Sequence, residues 1–556
     1  MSNFAADIKK TNTDMSNTIG FTNFRRFTNF PEIDLGDITI LVGGNNAGKS
    51  TLVKAMLLMR DFLKSRIERV EDTNNLFKTF TRPHFSFDAE HANIGDFYRA
   101  FCRQSPQKEN TISFTIKIDK FRFVVNIRGE RKPGIIPEIS MIAVSDEDND
   151  IAFVFDFSKN QMTVKFGNKN GAQTNQLFDE KVSLRQENRE LADRLNELNE
   201  KLSKCKDLEM ITAIKSEIEQ THSKLKKIQL GLSKNDKKDV DYTIQVNGPS
   251  AIDLYFYKGL NVGKLLIPEF IKGFARFADD GTLGDKRLNS FKEEEANKTF
   301  LRGKITKINA IAEELETILN KQVIEYIYAH SVYQDSIYAK CANSSDYTKR
   351  TIHEFYTSRI SEDDDEFSLI EDWLKEFKIG TSLKVIPFKG DNYSLVIFDD
   401  KNPEIKGDKR KGYPGGIDLA DKGMGSIQIV VLLLRLATLI RKYKGQQLTI
   451  LLEEPEQNLH PALQSKLAEL IHTISHKYDV RFIVETHSEY LIRKTQVIVA
   501  KLNRSIDMAE NPFKVFYLPD NGSMPYEMEY RKDGKFSNEF GSGFFDEANK
   551  LLFDIL

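Results

Sequence analysis

The chain has 556 residues, 40% of them apolar, and carries 80 Lys and Arg against 82 Asp and Glu, a formal net charge of −2. That length predicts several structural units, and the apolar share is enough for a globular interior. The near-neutral balance excludes a global pull toward nucleic acid or membrane, so any such contact has to come from a local patch.

Cys102, Cys205 and Cys341 lie far apart with no CxxC spacing, which reads as reduced thiols in a cytoplasmic protein. The polar N-terminal residues contain no apolar stretch of the signal-peptide kind. Ile429 to Ile440 is the longest apolar run. It is interrupted by Arg435 and too short to span a bilayer, so it reads as a buried helix. A transporter ATPase would need its membrane part on another chain, and no membrane contact is expected.

In chain order, the first regular element is the β-branched run Ile38-Thr39-Ile40-Leu41-Val42. A glycine-rich loop follows. Ser50 to Lys64 then places Leu52, Met56, Leu57 and Met59 at helical spacing. Residues 110–170 alternate apolar and polar, as in Thr111 to Ile118, Phe121 to Val125 and Ile151 to Phe155. These predict antiparallel strands with one wet face. Asp146 to Asp150 reads as a solvated turn, with a metal role as the weaker alternative.

Leu184, Leu191 and Leu198 are seven apart and interleave with Leu195 and Leu202. Ile211, Ile218 and Leu225 repeat the pattern with Ile214 and Ile228, beyond the polar segment Ser203 to Asp207. Two stripes around a polar turn predict an antiparallel coiled-coil hairpin with arms of about 30 Å. Two ordinary amphipathic helices are the alternative. Residues from about 250 to 378 are mostly helical by pattern, with the acidic run Ser361 to Glu366 as a solvated loop. Strands return at 379–400, and helix and strand alternate from Pro414 onward. The expected units are 20–178, a hairpin over 180–232, a mostly helical insert over 240–378, and 379–556.

Gly43 to Ser50 fits G-x-x-x-x-G-K-[ST] between a strand and a helix. Such a loop curls so that backbone N–H groups of Asn45, Asn46, Ala47 and Gly48 turn inward onto phosphate oxygens, and the following helix adds its positive end. Thr51 belongs to the same first turn. Lys49 is expected to reach the β- and γ-phosphates of ATP, and Ser50 to place its hydroxyl on Mg²⁺. Leu448 to Leu452 is an apolar strand ending in Glu453 and Glu454. Glu453 would hold the Mg²⁺ shell through water, and Glu454 would orient and deprotonate the attacking water. Val480 to Val484 leads to His487, placed to contact the γ-phosphate. Gly423, Gly425 and Ser426 open the helix through Ile429 to Ile440, which reads either as an anion site or as a plain helix cap.

These segments resemble ABC-type ATPases of the SMC and overcoming-lysogenization-defect group. GGNNAGKSTL, LLEEPEQNLHP and VETHSEYLIR look like that group's Walker A, Walker B with D-loop, and switch-histidine motifs, and DKGMGS is similar to its signature motif. The resemblance covers residues 20–60 and 415–500. It implies an α/β fold: an ABC-ATPase head, made of a P-loop sheet with helices plus an antiparallel β lobe, with the coiled-coil hairpin and helical segment inserted. It also implies that two heads sandwich ATP in a homodimer or higher homo-oligomer, Gly423, Gly425 and Ser426 of one facing the ATP of the other. Arg25 and Arg26 stand where relatives touch the adenine. The sequence departs from the group in having Glu453 where many relatives have Asp, in lacking the transporter wording of the signature, and in showing no glutamine in the expected Q-loop region, His91 to Phe97.

The stretch after His487 is too short for a toprim nuclease and holds no D-x-D, and the histidines do not cluster as in an HNH nuclease. The resemblance is therefore nearest to the PtuA-type ATPases of Septu and retron-associated anti-phage systems. It implies a separate PtuB-like HNH nuclease as partner, with a retron reverse transcriptase and its msDNA as further partners and the hairpin as docking arm. The competing reading is an SMC/RecF-like repair ATPase acting on DNA ends, for which Lys406 to Lys411 is the best basic segment.

Overall fold

The computed structural model describes residues 17–67, 85–106, 108–159, 161–167, 240–247, 263–279, 301–328, 338–339, 346–388, 392–399, 416–505 and 511–541, with single positions at 198, 217–218, 221, 224 and 545. Of the expected hairpin over 180–232 only the single positions just named are described, and the basic segment 406–411 lies outside the described residues.

The centre is a six-stranded sheet in the order β10-β15-β16-β3-β17-β18. These strands are β3 (Ile38–Gly43), β10 (Gln322–Ile327), β15 (Gln447–Glu453), β16 (Arg481–Glu485), β17 (Phe513–Leu518) and β18 (Tyr526–Met528), while β11 (Tyr338–Ala339), β12 (Ser382–Phe388), β13 (Asn392–Phe398) and β14 (Gly416–Asp418) make a small sheet of their own. The strands of the central sheet all pair in parallel except β18, which is antiparallel to β17. Both faces of the central strands β3, β15 and β16 are covered, so these strands are mostly apolar. Successive side chains still go to opposite faces. Ile38, Ile40 and Val42 enter one core with Ile450, Leu452, Phe482 and Val484. Leu41, Leu451 and Ile483 enter the other.

That second core is shared with an eight-stranded antiparallel sheet, order β2-β1-β4-β5-β6-β7-β8-β9. It runs from β1 (Asn17–Phe24) and β2 (Phe27–Leu35) through β4 (Thr111–Ile118), β5 (Phe121–Arg128), β6 (Glu138–Asp146), β7 (Ile151–Asp156) and β8 (Gln161–Gly167) to β9 (Val240–Asn247). Ile112, Phe114, Ile116, Phe121, Phe123, Val125, Phe153 and Phe155 are buried on one face, as alternation predicts. Helix α1 (Lys49–Leu63) is packed within this core through Leu52, Met56, Leu57 and Met59. Helix α3 (Leu266–Asp279) closes it farther out, Phe270 and Phe274 standing 5.6 Å from Phe155 and Phe153.

The stretch 240–378, expected as a mostly helical insert, also supplies strands to both large sheets. Residues 240–247 form the last strand of the antiparallel sheet, α3 and α4 (Ile305–Lys321) pack against that lobe, and β10 is the edge of the central sheet. Periodicity missed this because β10 is only six residues long and abuts α4 directly. The acidic run at 361–366 is a mostly exposed turn, in which Ser361 donates from N and Oγ to Asp364 at 2.8 and 2.9 Å. Asp365 and Glu366 then occupy the first turn of α6 (Asp365–Glu376), where carboxylates complement the helix dipole. The turn at 146–150 is also built, with buried Asp146 accepting from Asn149 N at 3.0 Å.

Helix α7 (Met424–Lys442) fills the other core. It is long and apolar enough to cross a membrane, but most of it is buried inside the protein. Its one buried cation, Arg435, bridges Glu325 of β10 at 3.2 Å and pairs with Glu354 of α5 (Tyr347–Thr357). Tyr443 donates to the other Glu325 oxygen at 2.6 Å. Arg435→Ala leaves two partly enclosed carboxylates without their cation and is expected to destabilise the protein by about 2–4 kcal/mol. Urea unfolding followed by circular dichroism checks this; an unchanged midpoint refutes it.

Candidate functional site

The loop after β3 wraps the start of α1. Gly48 has φ +103°, and a Cβ there would lie 2.5 Å from the Phe27 ring, so only glycine fits. Asn46 also takes a positive φ, of 64°. No side chain caps α1 and its first turn holds no acidic residue. The amides at this helix start are thus left for an anion. Lys49 is 3% exposed. Its Nζ donates to Gly43 O at 3.1 Å and Gly44 O at 3.0 Å, and meets His487 Nε2 at 2.9 Å.

Strand parity decides what faces this loop. Glu453 and Glu485 share the parity of Leu451 and Ile483, so both carboxylates turn to the α1 side. The two residues are direct partners in the β15–β16 ladder. Because β16 lies between β15 and β3, Glu485 is the acid that reaches Ser50: Ser50 Oγ donates to Glu485 Oε1 at 2.9 Å. Glu453 accepts a hydrogen bond from the Tyr326 hydroxyl of β10. Glu454 follows in a left-handed conformation, φ 39°, with its N–H on Glu485 O at 2.8 Å. Backbone strain of this kind in a non-glycine residue collects at functional sites. Its carboxylate is 3.5 Å from His487 Nε2. Glu456 Oε1 accepts from His487 N at 2.6 Å, which fixes the histidine backbone.

The electrostatics follow from crowding in a partly dry site. Burial lowers the Lys49 pKa, while Glu485, Glu454, Asp520 and Glu456 pull it back up. Burial and then Lys49 lower that of His487, so the ring is neutral at pH 7 and accepts from the lysine. Burial pushes Glu485 up to about 7 against the opposing pull of Ser50 and Lys49. Burial also raises Glu456 and, with Glu453, the Tyr326 phenol, which keeps its proton and donates.

Other expected residues stand apart. Arg26 donates to Asp520 O at 3.3 Å, next to the loop. Arg25 instead lies among cations, its pKa lowered by burial and by Arg99. Gly423, Gly425 and Ser426 start α7 against the segment after Glu454: a Cβ on Gly425 would lie 2.6 Å from Asn458 O. Gln428 Nε2 donates to Pro455 O at 3.3 Å, and Asn458 donates to Gln428 Oε1 at 3.2 Å. The His91–Phe97 region approaches Glu453 through Tyr326, its His91 ring 5.3 Å from that of Tyr326. Motif reading missed Glu485 and Tyr326. Glu485 lies within VETHSEYLIR two residues before the histidine, where the motif gives it no role, and β10 carries no motif at all.

Glu485 yields a sign-definite pH effect. Its folded pKa, about 7, exceeds the ordinary 4.5, so its contribution to stability is present below 4.5 and lost as pH rises through 7. Glu485→Gln should therefore gain stability on wild type between pH 5 and pH 8 by on the order of 2–3 kcal/mol. Unfolding at the two pH values without nucleotide measures this, and a pH-independent difference counts against it.

A family model described as AAA ATPase domain matches residues 15–492. No curated protein matches the chain. Among solved structures, the chain is similar to an Smc head domain with an extended coiled coil bound to the C-terminal domain of ScpA, from Pyrococcus furiosus. That pair has 11% identity, 97% of this chain and 99% of that one covered, and a TM-score of 0.30. An Smc head bound to the C-winged helix domain of ScpA gives 11%, 93% and 98%, and 0.32. An Smc head with a coiled coil and joint from Pyrococcus yayanosii gives 10%, 97% and 99%, and 0.32.

Proposed function

The chain belongs to the AAA ATPase domain family, which makes it a nucleotide-binding ATPase, and on that premise we propose that the loop of Lys49 and Ser50 and the carboxylates Glu453 and Glu454 are its hydrolytic site. The observation that carries this is spatial: residues from separate strand ends meet at one loop, with Ser50 on Glu485, Lys49 on His487, and His487 beside Glu454. Lys49 and the loop amides hold the β- and γ-phosphates. Neutral His487 contacts the γ-phosphate once Lys49 turns from it to the nucleotide. Glu454, 28% exposed, accepts the proton of the attacking water as its oxygen bonds to the γ-phosphorus and the ADP oxygen leaves. The donor set fits Mg²⁺, a hard cation commonly bound by one or two carboxylates, a hydroxyl and substrate phosphates. Ser50 and Glu453 would hold it, and it would neutralise phosphate charge during transfer. Arg26 borders the nucleotide; Arg25 serves there only if its cationic neighbours find an anion.

Gly423, Gly425 and Ser426 meet ATP held by a second copy, since the start of α7 has neither a side-chain cap nor a first-turn acid. The reading then predicts opposite behaviour from two variants. Glu454→Gln should lower kcat by about 10²–10⁴-fold and accumulate an ATP-bound dimer. Lys49→Ala should abolish both ATP binding and dimer formation. Light scattering with ATP decides; equal size for both variants sinks the sandwich.

We further propose that this ATPase is the subunit of a bacterial anti-phage complex that senses infection and controls a separate HNH nuclease, with a retron reverse transcriptase and msDNA as additional partners. The resemblance of the four motif segments supports this. Co-purification of the tagged chain with the products of its neighbouring genes tests it. A stoichiometric nuclease is the expected result. A chain that emerges alone and turns over ATP faster with DNA overturns it in favour of a repair ATPase.

A further inference from the structure

Glu485 has an oxygen that the site as described does not use. The side chain is 4% exposed, and while Oε1 accepts the Ser50 hydroxyl, Oε2 is enclosed and has no hydrogen-bond partner. The nearest cation cannot supply one, because Lys49 Nζ is committed to Gly43, Gly44 and His487. A buried carboxylate oxygen with no donor is costly to keep. Its placement is also specific. Glu485 and Glu453 are ladder partners on adjacent parallel strands, about 4.8 Å apart at the backbone, and both face α1. Both carboxylates thus lie on the face toward the start of the helix, and Glu485, not Glu453, is the one bonded to the Ser50 hydroxyl.

We propose that Glu485 is a metal ligand, its free oxygen completing with Ser50 and Glu453 the oxygen set for the divalent cation that accompanies ATP. This rests on the hydrolytic-site reading above. Among the described residues no three His, Cys, Asp or Glu side chains form a metal cage. Two carboxylates and a hydroxyl would therefore hold the cation only together with the nucleotide phosphates, in the manner usual for Mg²⁺. A hydroxyl can serve both neighbours, its lone pair on the cation and its proton on Glu485. Asp at this position would fall one methylene short of Ser50.

The test uses Mn²⁺ in place of Mg²⁺, followed by electron paramagnetic resonance of the free ion, on the full chain with AMP-PNP. Wild type, Glu485→Gln and Glu485→Asp are compared, with AMP-PNP affinity in EDTA as the second measurement. Both variants should lose about 10–100-fold in Mn²⁺ affinity, while metal-free AMP-PNP binding is kept in Glu485→Asp and kept or tightened in Glu485→Gln, whose neutral amide removes a negative charge near the phosphates. Wild-type Mn²⁺ affinity in both variants overturns the proposal. So does an equal loss of metal-free AMP-PNP binding, which would mark Glu485 as a structural holder of Ser50. If the Glu485→Gln protein does not fold, the Glu485→Asp variant, which keeps the charge, decides alone. Wild type that binds no AMP-PNP, or binds it regardless of Lys49→Ala, fails the nucleotide-site reading itself. Wild type that binds normally beside unaffected Glu485 variants fails only the metal-ligand assignment.

Discussion

The strict alternation of side chains along the parallel strands is the constraint from which the rest of the molecule follows. Strands β3, β15 and β16 are buried on both faces, so each residue must satisfy one of two cores. Shifting any strand by one residue would exchange its entire set of contacts. The same parity governs the polar strand ends, where Glu453 and Glu485 continue the face of Leu451 and Ile483 and so arrive beside Ser50. On β10 it separates neighbours: Tyr326 turns to Glu453, and Glu325 turns to Arg435 on α7.

The site these ends form is electrostatically crowded. Lys49, almost fully buried, feels four acidic side chains, and desolvation and attraction act on it in opposite directions. The lysine is satisfied by loop carbonyls and a neutral imidazole, while two carboxylates, Glu456 and Glu485, are each enclosed with one oxygen unpartnered. An arrangement that leaves buried acid oxygens without donors beside a ring of helix-start amides is unbalanced by itself. Anionic phosphates with their counter-cation are the complement proposed for it.

Edge strand β10 ties this chemistry to the opposite core. It pairs with β15 along its whole length, carries the phenol on Glu453, and anchors α7 through Glu325 and Arg435. The start of α7 touches the segment after Glu454 through Gly425 and Gln428. The turn before α7, the end of β15 and the edge strand therefore form one closed circuit of contacts.

Some of this was legible in residue order alone. The phosphate loop, the Glu453–Glu454 pair and His487 are contiguous segments whose strand or helix context can be read from a few neighbours. The alternating strands at 111–118, 121–128 and 151–156 declare themselves by a period of two, and the burial of α7 by a long apolar run that Arg435 interrupts. Strand order is another matter. Ser50 and Glu485 are 435 residues apart, and Tyr326 and Glu453 are 127 apart. Which acid reaches Ser50 depends on β16 lying between β15 and β3, and which tyrosine reaches Glu453 depends on β10 joining the edge. Local sequence carries periodicity and turn chemistry. Only the tertiary fold decided these pairings, because hydrogen bonds between strand ends exist only once loop closure and burial have brought distant segments together.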